Sequence, residues 1–160
     1  MDKIRKVLDK VLGCICCVLL VFMTLAATWQ VISRYVLNNP STVTEELTLI
    51  SFIWMALFAA AYVFGKMDHM KMSFILDSLG RKNNLRLKIF AEVVIMIFAL
   101  FILVFGGAKM CSLCMGEASS SLQVPMGYIY LALPISGILT AIYNVLNIHD
   151  LVIELKKEGK

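Results

Sequence analysis

The sequence predicts an all-α integral membrane protein with four transmembrane helices. Short amphipathic interfacial helices are expected at the N-terminus and between the second and third spans. Three observations carry this. The 160 residues are 60% hydrophobic and 16% charged, against about 45–50% apolar and about 25% charged in a soluble domain. Four apolar runs, 11–33, 47–64, 89–108 and 128–148, approach or exceed the roughly 20 residues that cross a bilayer core. The basic residues, finally, are partitioned between alternate connections.

That partition sets the expected topology. Four Lys or Arg precede the first run (Lys3, Arg5, Lys6, Lys10). Six lie between the second and third (Lys66, Lys71, Arg81, Lys82, Arg86, Lys88), and three follow the fourth (Lys156, Lys157, Lys160). The other two connections hold one each, Arg34 and Lys109. By the positive-inside rule both termini are expected in the cytoplasm (N-in, C-in), with 34–46 and 109–127 facing outward. A pI near 8.8 then describes loops beside lipid rather than a nucleic-acid surface. The first run exceeds a signal-peptide core and continues into Gln30-Val31-Ile32, so it is expected to be retained. With no repeat or linker, residues 1–160 read as a single membrane domain.

Taken in order, residues 3–12 place Ile4, Val7, Leu8, Val11 and Leu12 at helical spacing against Lys3, Lys6 and Lys10. This predicts a short helix on the inner leaflet before the chain enters the bilayer. Asn38-Asn39-Pro40 lies between the first and second apolar runs. Thr42-Val43-Thr44-Glu45 predicts a capping box opening the second helix, with Glu45 reaching back to Thr42 and the helix dipole favouring Glu46. Met72, Ile75, Leu76 and Leu79 within 70–79 predict the second interfacial helix, stopped by Gly80. Pro134 predicts a bend near the start of the fourth helix.

Few residues offer chemistry. Glu45 and Glu46 have no nucleophile, His or metal-ligand set beside them on the outer side. Glu92 is an acid one turn inside a span, a functional candidate by default. Lys88, four residues earlier, predicts a local ion pair for it, and the rest of the interior reads as lacking a polar site. Cys111-Ser112-Leu113-Cys114 is a C-x-x-C near the outer end of the third span, which raises a membrane thiol-disulfide oxidoreductase as the alternative function. Its electron relay would need a second outer pair, whereas Cys14, Cys16 and Cys17 lie at the opposite face. His69 and His149-Asp150 read as interfacial or helix-end residues. Trp29, Tyr35, Tyr128 and Tyr130 mark the outer aromatic belt, and Trp54 falls below it. Ala56/Ala60, Ala61/Gly65 and Gly137/Ala141 carry the small-residue spacing of packed membrane helices. No catalytic, substrate-binding or metal-ligating set is assigned.

The motifs taken together resemble a known family. Residues 29–36 (WQVISRYV), Glu45-Glu46-Leu47, Phe52-Ile53-Trp54, Asp68-His69-Met70-Lys71, Leu122-Gln123-Val124-Pro125 and Tyr130-Leu131-Ala132-Leu133-Pro134 are similar to the small, DctQ-type membrane subunit of tripartite ATP-independent periplasmic (TRAP) transporters. The resemblance runs from about residue 5 to residue 148. It implies a non-catalytic scaffold in the bacterial inner membrane, bound to a large membrane subunit that carries sodium and substrate. A periplasmic binding protein would deliver the substrate, a carboxylate such as sialic acid or a C4-dicarboxylate. No cofactor is implied on this chain, sodium being expected on the large partner. Arg34, Glu45, Glu46, Lys109 and Glu117 become candidates for periplasmic docking or for fixing helix ends. Trp54 and His69 become candidates for contacts within the complex.

Overall fold

The computed structural model describes residues 2–66 and 81–158, and every regular element among them is helical. Helix α1 (Asp2–Tyr35) and helix α2 (Thr42–Gly65) form the first hairpin. Helix α3 (Arg81–Phe98) passes into a π-helical stretch, Ala99–Gly106. The rod continues as α4 (Gly107–Leu113) and a 3-10 turn, Cys114–Gly116. A short α5 (Met126–Tyr130) leads into α6 (Ala132–Glu158). Four of these segments, Lys3–Tyr35, Thr42–Gly65, Asn83–Gly116 and Met126–Lys156, are long and apolar enough to span a membrane. Both termini lie at one end of the bundle, here proximal; the turns at 36–41 and 117–125 lie at the distal end.

The observed helices exceed the expected spans, and the first interfacial helix is not a separate element. Residues 3–12 continue unbroken into α1, because nothing between Lys10 and Gly13 breaks a helix and Leu8, Leu12 and Cys16 pack on a common core. At about 1.5 Å per residue, α1 is about 50 Å long, well beyond a hydrocarbon core of about 30 Å. Residues 70–79, expected as the second interfacial helix, lie outside the described residues.

Local chemistry accounts for the helix ends. Asn38 adopts a left-handed conformation (φ 50°), which Asn tolerates better than most residues. The Asn39 N–H then returns to Ser33 O at 3.1 Å, and the Ser33 hydroxyl donates to Asn39 O. The cap of α2 is Ser41 rather than Thr42: its hydroxyl accepts from the Thr44 N–H at 3.4 Å. Thr44 takes the third helical position and donates back to Ser41 O at 2.9 Å. Glu45 is therefore one position too late for the expected capping box. Pro134 acts as expected in kind: α5 ends at Tyr130 and α6 restarts at Ala132, since proline has no N–H for the carbonyl four residues earlier.

Helix α6 is the hub. Helices α2, α3 and the π-helical stretch pack on it, while α1 packs chiefly on α2. Within its apolar window 44% of α6 is buried, against 6% for α1. The hydrophobic cluster joins Leu12, Phe58 and Tyr143, flanked by Trp54, Tyr62 and Leu139. Glycines permit close approaches to α6. A Cβ at Gly65 would lie 2.5 Å from the Tyr143 ring, and one at Gly137 would lie 2.7 Å from the Leu103 Cβ. Ala61 and Gly65 thus form a packing face, as their spacing predicts, whereas Ala56 and Ala60 are exposed.

Candidate functional site

Polar side chains gather in two places, one at each end of the bundle. The proximal group has a buried centre, with Arg5, Asp9 and Asp150 partly exposed at its rim, and draws on all four long helices. Along α6, Ser136, Thr140, Asn144 and Asn147 follow helical spacing and are all buried, so one stripe of an otherwise apolar helix presents polar atoms inward. Ser136 and Thr140 bond their own backbone, to Leu133 O at 2.9 Å and Ser136 O at 2.8 Å. Asn144 and Asn147 reach across to α3.

Their target is Glu92, which is completely buried. Asn147 Nδ2 donates to Glu92 Oε1 at 3.2 Å. Oriented as its neighbours require, the Asn144 amide donates to Glu92 Oε2 at 2.8 Å and accepts from the Met96 N–H at 3.1 Å. Each carboxylate oxygen therefore has a donor, the condition for keeping a carboxylate in a dry interior. The expected pair with Lys88 is replaced: Glu92 turns toward α6, where neutral amides supply directed bonds away from lipid. The interior is accordingly not devoid of polar groups, contrary to the reading from sequence.

Arg5 completes the group. Its guanidinium donates to Asp150 Oδ2 at 3.0 Å, to Gly65 O at 3.2 Å and to Asn147 Oδ1. One turn on, Asp9 Oδ1 accepts from the Tyr143 hydroxyl at 2.7 Å. Asn147 Nδ2 also reaches Phe64 O at 3.2 Å. These contacts add donors at the end of α2, where the Lys66 N–H already reaches Tyr62 O, Val63 O and Phe64 O and where the last turn has no basic residue. Arg5 donates to Gly65 O and Asn147 to Phe64 O from other helices, and the Lys66 ammonium adds a cation 4.4 Å from the Tyr62 ring centroid. His149-Asp150 is not a helix terminus, since α6 continues to Glu158 and Asp150 instead holds Arg5.

The distal group is smaller. Glu46 Oε2 accepts from the Ser121 N–H at 2.9 Å and the Leu122 N–H at 3.1 Å. The loop it grips is closed on itself: the Ser119 N–H donates to Val124 O at 2.9 Å and the Met126 N–H to Glu117 O at 2.8 Å. Gln123 turns its tip with φ 55°. Glu46 thus fastens α2 to the turn ahead of α5. Beside it lies a groove of about 520 Å³, walled by Leu49, Ile50, Ile53 and Ile129, with Glu45 at its edge. Arg34 and Glu45 face a second hollow of about 280 Å³ with Gln30 and Pro40.

The structure therefore distributes the sequence candidates unequally. Arg34, Glu45, Lys109 and Glu117 are exposed, and Glu46 is partly buried in its clamp. Trp54 packs within this chain, edge-to-face on Phe58 with centroids 5.6 Å apart. His69 lies outside the described residues. Cys111 is buried, Cys114 partly so, and both are free thiols. Sequence reasoning missed Arg5, Asn144, Asn147 and Asp150. A usable signal was present: Asn144 and Asn147 continue the Ser136–Thr140 stripe at helical spacing in an apolar segment.

Residues 23–153 match the family described as "Tripartite ATP-independent periplasmic transporters, DctQ component". Among curated proteins, the chain is 29% identical over 103 residues to the sialic acid TRAP transporter small permease protein SiaQ of Vibrio cholerae. That match covers 64% of this chain and 60% of the relative, so it spans less than two thirds of the Vibrio protein. Two putative TRAP transporter small permease proteins of Haemophilus influenzae are 24% and 26% identical. They match over 88% and 85% of this chain and 87% and 82% of their own lengths. With more than half its length inside the family match, the chain belongs to the DctQ component family of tripartite ATP-independent periplasmic transporters.

Proposed function

We propose that this chain is a non-catalytic scaffold subunit of a sodium-driven importer of carboxylate substrates, sialic acid or a C4-dicarboxylate. It is a multi-pass protein of the bacterial inner membrane, and its proximal end, with both termini, faces the cytoplasm. A large membrane subunit carries sodium and substrate, and a periplasmic binding protein delivers the substrate to the distal face. The basic residues flanking the proximal end support this orientation. Sialic acid is named for the Vibrio relative.

The observation that carries the scaffold reading is the closed proximal network. Both oxygens of Glu92 are occupied by Asn144 and Asn147, and the hollow of about 270 Å³ nearby is walled by Arg5, Asp9, Gly65 and Lys66, without Glu92. A carboxylate held in this way ties helices together rather than passing ions. For the thiol oxidoreductase alternative, Cys111 and Cys114 are free thiols, and the other three cysteines, Cys14, Cys16 and Cys17, lie on the proximal half of α1.

The test is ion flux. The purified chain, reconstituted alone in liposomes, should take up radioactive sodium no faster than empty liposomes. A saturable sodium flux that disappears in Glu92→Gln would overturn the scaffold reading.

A further inference from the structure

Arg5 is held in a cage of three acceptors contributed by two helices: Gly65 O ends α2, and Asn147 Oδ1 and Asp150 Oδ2 belong to α6. Glu92 of α3 adds its charge one hydrogen bond further, through Asn147. Such a cage resembles the surroundings of a bound cation: a helix C-terminus, an amide oxygen and a carboxylate converging on one point. The chain fills it with its own guanidinium. We propose that Arg5 is a tethered structural cation, pinning the proximal turns of α1 as a strap across the ends of α2 and α6. It is the shape of the guanidinium, and not its charge alone, that fits the cage.

Three observations converge on this. First, the last turn of α2 has no basic residue of its own, and its final carbonyl, Gly65 O, takes the Arg5 guanidinium as donor at 3.2 Å. Second, α1 packs mainly on α2 and reaches α6 through its proximal turns, by Arg5, by Asp9 on Tyr143, and by Leu8 and Leu12 in the core cluster. Third, the acceptors lie in different directions, and a planar fork with five N–H donors serves them together where the compact ammonium of lysine serves fewer. Asp150 is 42% exposed and contributes the weaker hold, while the backbone and Asn147 acceptors lie deeper.

The strap is a property of the isolated chain, so its test does not depend on the transporter reading. Hydrogen exchange is followed on the full chain in detergent, for the parent and for Arg5→Ala, Arg5→Lys and Asp150→Asn. In Arg5→Ala, amides over 3–12 and 64–66 should exchange faster by about tenfold or more, with 19–33 and 107–130 within about twofold of the parent. Millimolar methylguanidinium should restore the protection, and methylammonium should not. Arg5→Lys should resemble Arg5→Ala. Should Arg5→Ala fail to fold, Asp150→Asn gives a smaller loss confined to the same amides. The proposal is overturned if no variant accelerates exchange at 3–12. It is equally overturned if the acceleration spreads evenly through all four helices, or if lysine or methylammonium restores protection as well as methylguanidinium.

Discussion

Asn147 on α6 donates to Glu92 on α3 at 3.2 Å while its own oxygen receives the guanidinium of Arg5 from α1. One side chain thereby joins three helices, and its bond to Phe64 O adds the fourth. Asn147→Leu keeps the branched shape but removes every one of these bonds, taking a donor from Glu92 Oε1 and from Phe64 O and an acceptor from Arg5. The expected cost is about 1–3 kcal/mol, within the range for an orphaned buried acceptor and tempered by the modest worth of interhelical bonds in membranes. Asp150→Asn, at a half-exposed position, should cost less than about 1 kcal/mol. Unfolding in mixed micelles ranks the two; equal effects would contradict the ordering.

Glycines supply an opposite pair of outcomes. Gly65→Ala places a Cβ 2.5 Å from the Tyr143 ring, and the neighbour is a buried aromatic rather than a flexible tip. Overpacking of this kind costs about 1–3 kcal/mol. Gly13→Ala meets nothing within 4 Å and removes a flexible residue from the interior of α1, so it should be neutral or stabilising by up to about 1 kcal/mol. The sign of each change, read from the same unfolding assay, is the check.

At the distal end, Glu46→Ala frees the Ser121 and Leu122 amides. Their hydrogen exchange should rise by about tenfold or more, as expected when a charge-assisted bond worth about 1.5–3 kcal/mol is lost. Exchange over 144–151 at the proximal end should stay unchanged. If Ser121 and Leu122 keep their protection, Glu46 does not hold the loop.

How much of this was legible in sequence depends on what each feature rests on. The four spans, the Pro134 break and the Ala61–Gly65 face follow from composition, a missing N–H and small-residue spacing, all local properties. The cap of α2 was misplaced by one residue because Ser41 and Thr42 are both competent caps and backbone conformation decides between them. Glu92 was singled out correctly, but Lys88 at helical spacing was a plausible local partner. The actual partners lie 52 and 55 positions away on α6, and no local pattern specifies which face of α3 turns to which face of α6. Arg5 was counted only as one of four basic residues before the first span, although it reaches Gly65 and Asp150.

The C-x-x-C offers a test of the alternative function. Cys111→Ala with Cys114→Ala should leave the bundle folded, with stability changed by less than about 2 kcal/mol, and should leave uptake by the assembled complex intact. Loss of uptake from a complex that still assembles would revive a redox role.

A scaffold subunit works only as part of a larger membrane assembly. The most direct measurement is the mass of what co-purifies with it from the native membrane in mild detergent, using a C-terminal tag. A stoichiometric, much larger and very hydrophobic partner is expected. A chain that elutes alone or only with copies of itself, with Cys111 and Cys114 cycling between thiol and disulfide, would contradict the scaffold reading.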